Sequence, residues 1–132
     1  MKRILMACLV CLGGAAIWAS AVDGAPLAQS KRILVTHLTD VQNTGARFSD
    51  ESMKILLKWG GLPHLMRRGR AEVSLAVDAG AFTVYVLDAD GSRRAEVPAA
   101  YRDGRLTFVA DVARDPKAAS YLYEIVRLPN AE

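Results

Sequence analysis

Apolar and polar side chains alternate with a period of two residues from Gly69 onward. Such alternation is typical of β-strands that bury one face and leave the other in water. The pattern is clearest over 71–77, where Ala71, Val73, Leu75 and Val77 share one face. Further strands are predicted over 82–87, 94–97, 106–111 and 121–127. Short strands at this spacing indicate an antiparallel sandwich or barrel.

Turn residues separate these predicted strands. The segment 88–92 contains Gly91, which adopts positive φ without a steric penalty, and aspartates that hydrogen-bond their own backbone. Pro98 lacks an amide hydrogen and therefore ends the strand before it. Asp103 and Gly104 form a dipeptide that is favoured in two-residue hairpins. The sequence thus predicts antiparallel hairpins rather than parallel crossovers.

The first half of the chain fits the same plan with one exception. A strand is predicted over 31–41, which is rich in β-branched residues. Ser49 is a good N-cap, and Met53, Leu56 and Leu57 follow at helical spacing before Gly60, so we expect one short helical turn there. We then expect a strand over 62–67 that reverses at Arg68–Gly69 into the next strand. The predicted fold class is an all-β antiparallel sandwich, of jelly-roll or immunoglobulin-like type, with one short helical turn.

The first 21 residues have the pattern of an export signal. A basic start at Lys2 and Arg3 precedes an apolar run over 4–17, and Ala19-Ser20-Ala21 offers a small-residue cleavage site. We therefore predict a signal peptide over 1–21 and a single domain over 22–132, located in the periplasm or outside the cell. Retention of the segment as a membrane anchor is less favoured, because the run is shorter than the about 20 residues that span a bilayer. Both cysteines lie in the signal, so we expect a core without disulfides.

Charge and residue content argue against several function classes. Without Lys2 and Arg3, 15 of the 17 basic residues remain beside 14 acidic ones, and such a balance is not that of a nucleic-acid binder. The acids lie mostly in turns, whereas glycoside hydrolysis needs two carboxyl groups about 5 to 10 Å apart across a cleft. His37 and Asp40 have an odd separation on a strand and so point to opposite faces. We expect no catalytic residues, no metal site and no cofactor.

Two groups of residues are candidates for binding. Arg67, Arg68 and Arg70 offer paired donors suited to a phosphate, sulfate or uronate, although a solvated turn is the favoured interpretation of this cluster. Trp59 and Tyr101 are the candidates for stacking against a sugar ring. Of these two, we expect Trp59 to fill the end of the sandwich and Tyr101 to be the exposed aromatic side chain.

Several segments, in their order, resemble a known β-sandwich module. They are Ser30–Val35, Asn43-Thr44-Gly45, Trp59–Pro63, Ala71–Leu75, Val84–Gly91, Glu96-Val97-Pro98 and Leu122–Val126. Together they span about 23–128, and they are similar to the C-terminal domain of large secreted bacterial glycoside hydrolases and related proteins. The resemblance implies a non-catalytic domain that packs against a catalytic barrel. This chain departs from that pattern, because its predicted signal leads almost directly into the sandwich.

The sequence therefore predicts an exported, non-catalytic accessory module for protein contact or weak carbohydrate binding. Its expected partners are a glycoside hydrolase barrel, another exported protein or a polysaccharide. Self-association is also expected, through the apolar flank that a barrel would otherwise cover. The alternatives are a stand-alone remnant with a purely structural role and, less favoured, a small extracytoplasmic hydrolase.

Overall fold

A computed structural model describes residues 7–12 and 14–129 of the chain. The basic start of the predicted signal at Lys2 and Arg3 lies outside the described residues. The described residues contain thirteen strands and one 3-10 turn at Leu27–Gln29. The strands are β1 Ala7–Leu12, β2 Ala15–Ala21, β3 Arg32–Leu38, β4 Val41–Thr44, β5 Arg47–Phe48, β6 Leu56–Lys58, β7 Gly61–Met66, β8 Arg70–Ala76, β9 Phe82–Leu87, β10 Arg93–Val97, β11 Ala99–Arg102, β12 Arg105–Asp111 and β13 Leu122–Arg127.

Two antiparallel sheets form a β-sandwich, as the alternation predicted. The larger sheet has six strands in the order β1-β2-β3-β13-β9-β10, and the smaller has three in the order β11-β12-β8. Phe82 on β9 lies 5.6 Å from Tyr101 on β11, measured between ring centroids, and Phe108 on β12 lies 5.4 Å from Tyr123 on β13. These contacts place β11 over β9 and β12 over β13. By the same order β8 lies over β3, and β2 and β1 extend beyond the smaller sheet.

The core lies between the facing sheets. On β3 the inward side chains are Ile33, Val35 and His37, and the residues between them are more exposed. On β8 the buried positions are Val73 and Leu75, which lie opposite Phe108 and Leu106 of β12. Because the side-chain period of a strand is two, this register directs the four buried residues to the same side. The alternation predicted from 71 onward is thus confirmed.

The predicted turns in the second half are also confirmed. Gly91 has φ +86° between β9 and β10, and β10 ends at Val97, directly before Pro98. Asp103 and Gly104 have φ values of +50° and +74° and join β11 to β12. Two consecutive residues at positive φ match the right-handed twist of the flanking strands, and this explains the aspartate and glycine found there.

The helical turn predicted after Ser49 is wrong in position. This segment forms a turn that leads into β6, and the only helical turn of the described residues is the 3-10 turn at Leu27–Gln29. The Asp50 carboxylate accepts a hydrogen bond from the Ser52 amide, and the Ser49 amide donates to the Ile55 carbonyl at 3.0 Å. Met53 has φ +52°, which interrupts a right-handed helix. The side chain of Asp50 thus stabilises a local turn that competes with the helix.

The hairpin predicted between the strand at 62–67 and the strand at 71 is also wrong. β7 pairs with β4, and β5 pairs with β6, so that residues 41–66 form one long two-stranded projection, which we call the arm. At its base the Arg67 amide donates to the Asp40 carbonyl at 2.8 Å, which closes the projection. The arm thus connects β3 of one sheet to β8 of the other.

The predicted signal overlaps β1 and β2. β2 pairs with β3 over six residues, and Ala19 is buried with the core. The Val22 amide continues this pairing by donating to the Arg32 carbonyl at 3.1 Å. Removal of residues 1–21 would therefore take two strands, β1 and β2, from the large sheet and expose the edge of β3. Cleavage at Ala21 stays a prediction.

Candidate functional site

A cleft of about 530 Å³ opens beside β8, where the large sheet extends beyond the small one. Ile17 and Ala19 of β2 line one side of the cleft, and Val73 and Leu75 of β8 line the other. Ile17 lies directly opposite His37 in the register of β2 and β3, so His37 also faces this space. The cleft therefore results from the unequal widths of the two sheets. We call it the basic cleft because of the arginines described next.

All three arginines of the predicted anion-binding cluster line the basic cleft. Arg67 and Arg68 belong to the segment between β7 and β8, and Arg70 begins β8. Arg67 lies 3.4 Å from the Asp40 carboxylate, whereas neither Arg68 nor Arg70 forms an ion pair with any described residue. The three arginines are exposed, as the interpretation of a solvated turn expects, and they border a concave surface that is mainly apolar. Anion binding by these residues stays a prediction.

Sequence analysis did not assign two further residues to this site: it overlooked Arg105, and it considered His37 only as a catalytic or metal-binding candidate and rejected it. Arg105 of β12 lines the cleft, and its Nε donates to the Ser74 hydroxyl at 2.8 Å. Arg105 lies opposite Ala76, at the far end of β8 from Arg70, so the pairing of β8 with β12 adds a cationic side chain at the other end of the cleft. His37 is the second, because its burial depends on which face of β3 is covered. Only the strand pairing, which is non-local, would have revealed either residue.

His37 is 1% exposed, and its Nδ1 has no hydrogen-bond partner among the described residues. Burial lowers the pKa of His37 below its ordinary value of 6.5, and this effect outweighs the opposing influence of the Asp111 carboxylate. The imidazole is therefore neutral at pH 7, with one nitrogen as donor and the other as acceptor. A buried polar atom without a hydrogen-bond partner costs free energy.

Gly69 is packed closely against this histidine. A Cβ atom at position 69 would lie 2.8 Å from Cγ2 of Thr39 and 3.4 Å from Nε2 of His37. Any larger residue would displace the side chains that border the cleft. The glycine therefore allows the arginine segment to pass directly over the imidazole.

The arm is the second candidate surface. Seven of the ten exposed large hydrophobic side chains of the described residues belong to it, and this concentration distinguishes the arm from the rest of the surface. Their exposed fractions are Val41 56%, Met53 41%, Ile55 60%, Leu57 62%, Trp59 78%, Leu62 78% and Leu65 53%. The expectation that Trp59 fills the end of the sandwich is wrong, because the arm carries this side chain away from the core.

Polar contacts give the arm its shape. The side-chain amide nitrogen of Asn43 donates to the Trp59 carbonyl at 3.0 Å, and the side-chain oxygen of Asn43 lies 2.7 Å from Nδ1 of His64. The Thr44 hydroxyl donates to the Pro63 carbonyl at 2.7 Å. These bonds connect the two strands of the arm at the level of Trp59, so the exposed indole is carried by an ordered backbone.

Tyr101 is less exposed than the sequence predicted. Its ring packs against Phe82 at the margin of the core, and its hydroxyl donates to the Val77 carbonyl at 3.3 Å. Tyr101 and Trp59 lie on separate elements, β11 and the arm. The assignment of carbohydrate binding to these two residues stays a prediction.

The lining of the basic cleft combines cationic and apolar side chains. Of the residues that line it, Glu72 is the one carboxylate, and the carboxylates of Asp40 and Asp111 lie close to Arg67 and His37 respectively. No three His, Cys, Asp or Glu side chains of the described part of the chain are arranged to hold a metal ion. Comparisons of the chain with family models, curated proteins and solved structures found no match. None of the helices among the described residues is long and apolar enough to cross a bilayer.

Proposed function

We propose that this chain is a non-catalytic exported module whose arm docks on another exported protein. The observation that carries the proposal is the cluster of exposed apolar side chains around Trp59 and Leu62, each 78% exposed. Burial of one large apolar side chain is worth about 1.5 to 3 kcal/mol. So many exposed large apolar side chains on one projection are uncommon on a monomeric protein, and exposed apolar surface is typical of interaction sites.

The other exposed side chains of the arm favour a protein partner over a polysaccharide. Leu57, Leu62 and Leu65 are aliphatic and more than half exposed, and they offer no hydrogen-bonding groups to sugar hydroxyls. Interfaces between proteins commonly place one aromatic anchor among aliphatic contacts that exclude water. The composition of the arm fits that arrangement.

The positive charges of the arm indicate which charges its partner carries. Arg47 and Lys58 lie directly opposite one another on β5 and β6, both exposed, and neither forms an ion pair with a described residue. Like charges in this cross-strand position repel one another. A partner with carboxylates beside its apolar patch would relieve the repulsion. The resemblance to glycoside hydrolase accessory domains makes the catalytic barrel of such an enzyme our proposed partner.

The test measures binding of the full chain to the exported glycoside hydrolase encoded nearest to its gene, by biolayer interferometry. We expect Trp59→Ala and Leu62→Ala each to weaken binding about tenfold or more. Leu128→Ala is the matched control, because Leu128 is exposed but lies outside the arm. Lys58→Glu adds a partner for Arg47, so we expect it to preserve the arm while weakening binding.

Three results would overturn this proposal. The first is equal affinity of the parent chain and the Trp59→Ala variant for the hydrolase, or binding by neither. The second is binding to a glycan array that Trp59→Ala abolishes, which would make the arm a carbohydrate site. The third is self-association in sedimentation velocity that depends on Trp59, which would make a second copy of the chain the occupant of the arm.

A further inference from the structure

We propose that the basic cleft binds a small organic anion with an apolar body, of the class of medium-chain carboxylates. This proposal concerns a different surface from the arm and does not depend on the proposed function. It concerns the chain that retains β2, because Ile17 and Ala19 line the cleft.

Size and lining determine the apolar part of the ligand. The cleft volume of about 530 Å³ lies within the range of about 300 to 1,000 Å³ that is usual for small-molecule sites. Ile17, Ala19, Val73 and Leu75 supply aliphatic contacts from both sheets. Inorganic sulfate or phosphate would leave most of this surface in contact with water, whereas an alkyl chain would cover it. The lining therefore favours a ligand with a hydrocarbon body.

The arginines determine the charged part of the ligand. Four guanidinium groups and a single carboxylate, that of Glu72, line the cleft, so its local charge is positive. Asp40 compensates Arg67, whereas Arg68 and Arg70 have no ion-pair partner among the described residues. A guanidinium group presents parallel N–H donors that match the two oxygens of a carboxylate. Arg68 and Arg70 are the residues that we assign to the head group.

The buried histidine adds a polar group to the mainly apolar wall of the cleft. His37 lines the cleft, is 1% exposed, and carries an Nδ1 atom without a partner in the described residues. As a neutral imidazole, it offers a donor or an acceptor according to its tautomer. Nδ1 itself is enclosed, whereas Nε2 lies on the side of Gly69 and the arginine segment, so a carboxylate or carboxylic acid bound in the cleft would contact Nε2.

The experiment uses the full chain and three probes in isothermal titration calorimetry. Decanoate combines charge with an apolar body, decanol lacks the charge, and sulfate lacks the apolar body. We expect decanoate to bind at least about tenfold more tightly than either of the other two, because each control removes one class of contact. We expect Arg68→Gln combined with Arg70→Gln to weaken decanoate binding about tenfold or more. Arg102→Gln is the control, because Arg102 is exposed on β11 and does not line the cleft.

Two further measurements locate the ligand. Ala71 lines the cleft, so Ala71→Leu should fill part of it and abolish decanoate binding without loss of thermal stability. Imidazole nitrogen resonances should shift for His37 on addition of decanoate and stay constant for His64, which is exposed on the arm. Equal affinity for decanoate and decanol, an unshifted His37 resonance, or a strongly destabilised Ala71→Leu variant would each overturn the proposal. A strongly destabilised Ala71→Leu variant would mean that other side chains already fill the space beside Ala71.

Discussion

The hydroxyl group of Tyr123 connects three parts of the sandwich, and its removal is the most informative test of the core. The backbone amide of Asp111 donates to the Tyr123 hydroxyl at 2.9 Å, and the hydroxyl donates to the Ser120 carbonyl at 3.1 Å. The ring is fully buried and packs against Phe108. Burial also raises the pKa of Tyr123 above its ordinary value of 10.0 and keeps the group protonated as a donor.

Tyr123→Phe preserves the ring and deletes only the hydroxyl, so the apolar contacts with Phe108 remain. The Asp111 amide and the Ser120 carbonyl each lose a hydrogen-bond partner. An unsatisfied buried polar group costs about 1 to 3 kcal/mol, so we expect the free energy of unfolding to fall by about 2 kcal/mol. For a chain of this length such a loss corresponds to a fall in Tm of about 6 to 10 °C.

The matched control is Tyr101→Phe. Its hydroxyl makes a single long bond to the Val77 carbonyl at a partly exposed position, where water replaces it, so we expect a loss below about 0.5 kcal/mol. Both variants would be compared by urea denaturation, and hydrogen exchange at the Asp111 amide would locate the effect. Equal losses in the two variants, or unchanged exchange at Asp111, would refute the reasoning.

Two further predictions concern the outer face of the large sheet and the arm. Burial raises the pKa of Glu124, but hydrogen bonds from Arg93 and Arg32 outweigh it and hold the pKa below its ordinary value of 4.5. The stability that this carboxylate contributes is therefore present above about pH 4.5 and is lost as the pH falls through the lower pKa of Glu124 in the folded protein. Glu124→Gln should therefore flatten the fall of Tm between pH 5 and pH 3. Parallel curves of Tm against pH for the parent chain and the variant would contradict this. Gly60 has φ +71°, and a Cβ atom there would collide with the Thr44 carbonyl. Gly60→Ala should therefore raise the rate of amide hydrogen exchange within the arm, while the Tm of the sandwich stays within about 1 °C. An unchanged exchange rate would show that the arm tolerates the added side chain.

The strands of the second half were predictable because their evidence is local. Val73 and Leu75 alternate with polar residues, and Gly91 and Gly104 occupy turns that require positive φ. In each case the residues that indicate the element are also the residues that form it. The sandwich class follows from such elements in series, without knowledge of which strand pairs with which.

The arm and the cleft were not predictable in the same way. Met53, Leu56 and Leu57 fall at helical spacing, yet the local turn at Asp50 and the ladder with Arg47 and Phe48 decide their conformation. A short helix in a protein gains most of its stability when another element covers its apolar face, and no element of the described residues covers these side chains. Trp59 is exposed for the same reason, because no described element covers it.

The order of apolar and polar residues alone determined that this chain forms antiparallel strands with a shared interior, because side-chain alternation is a property of each strand by itself. The tertiary structure decided that β7 pairs with β4, that Trp59 stands in solvent, and that three arginines meet a buried histidine beside β8. These features depend on contacts between residues far apart in the chain. The difference in width between the two sheets creates the cleft, and no single segment of the sequence encodes it.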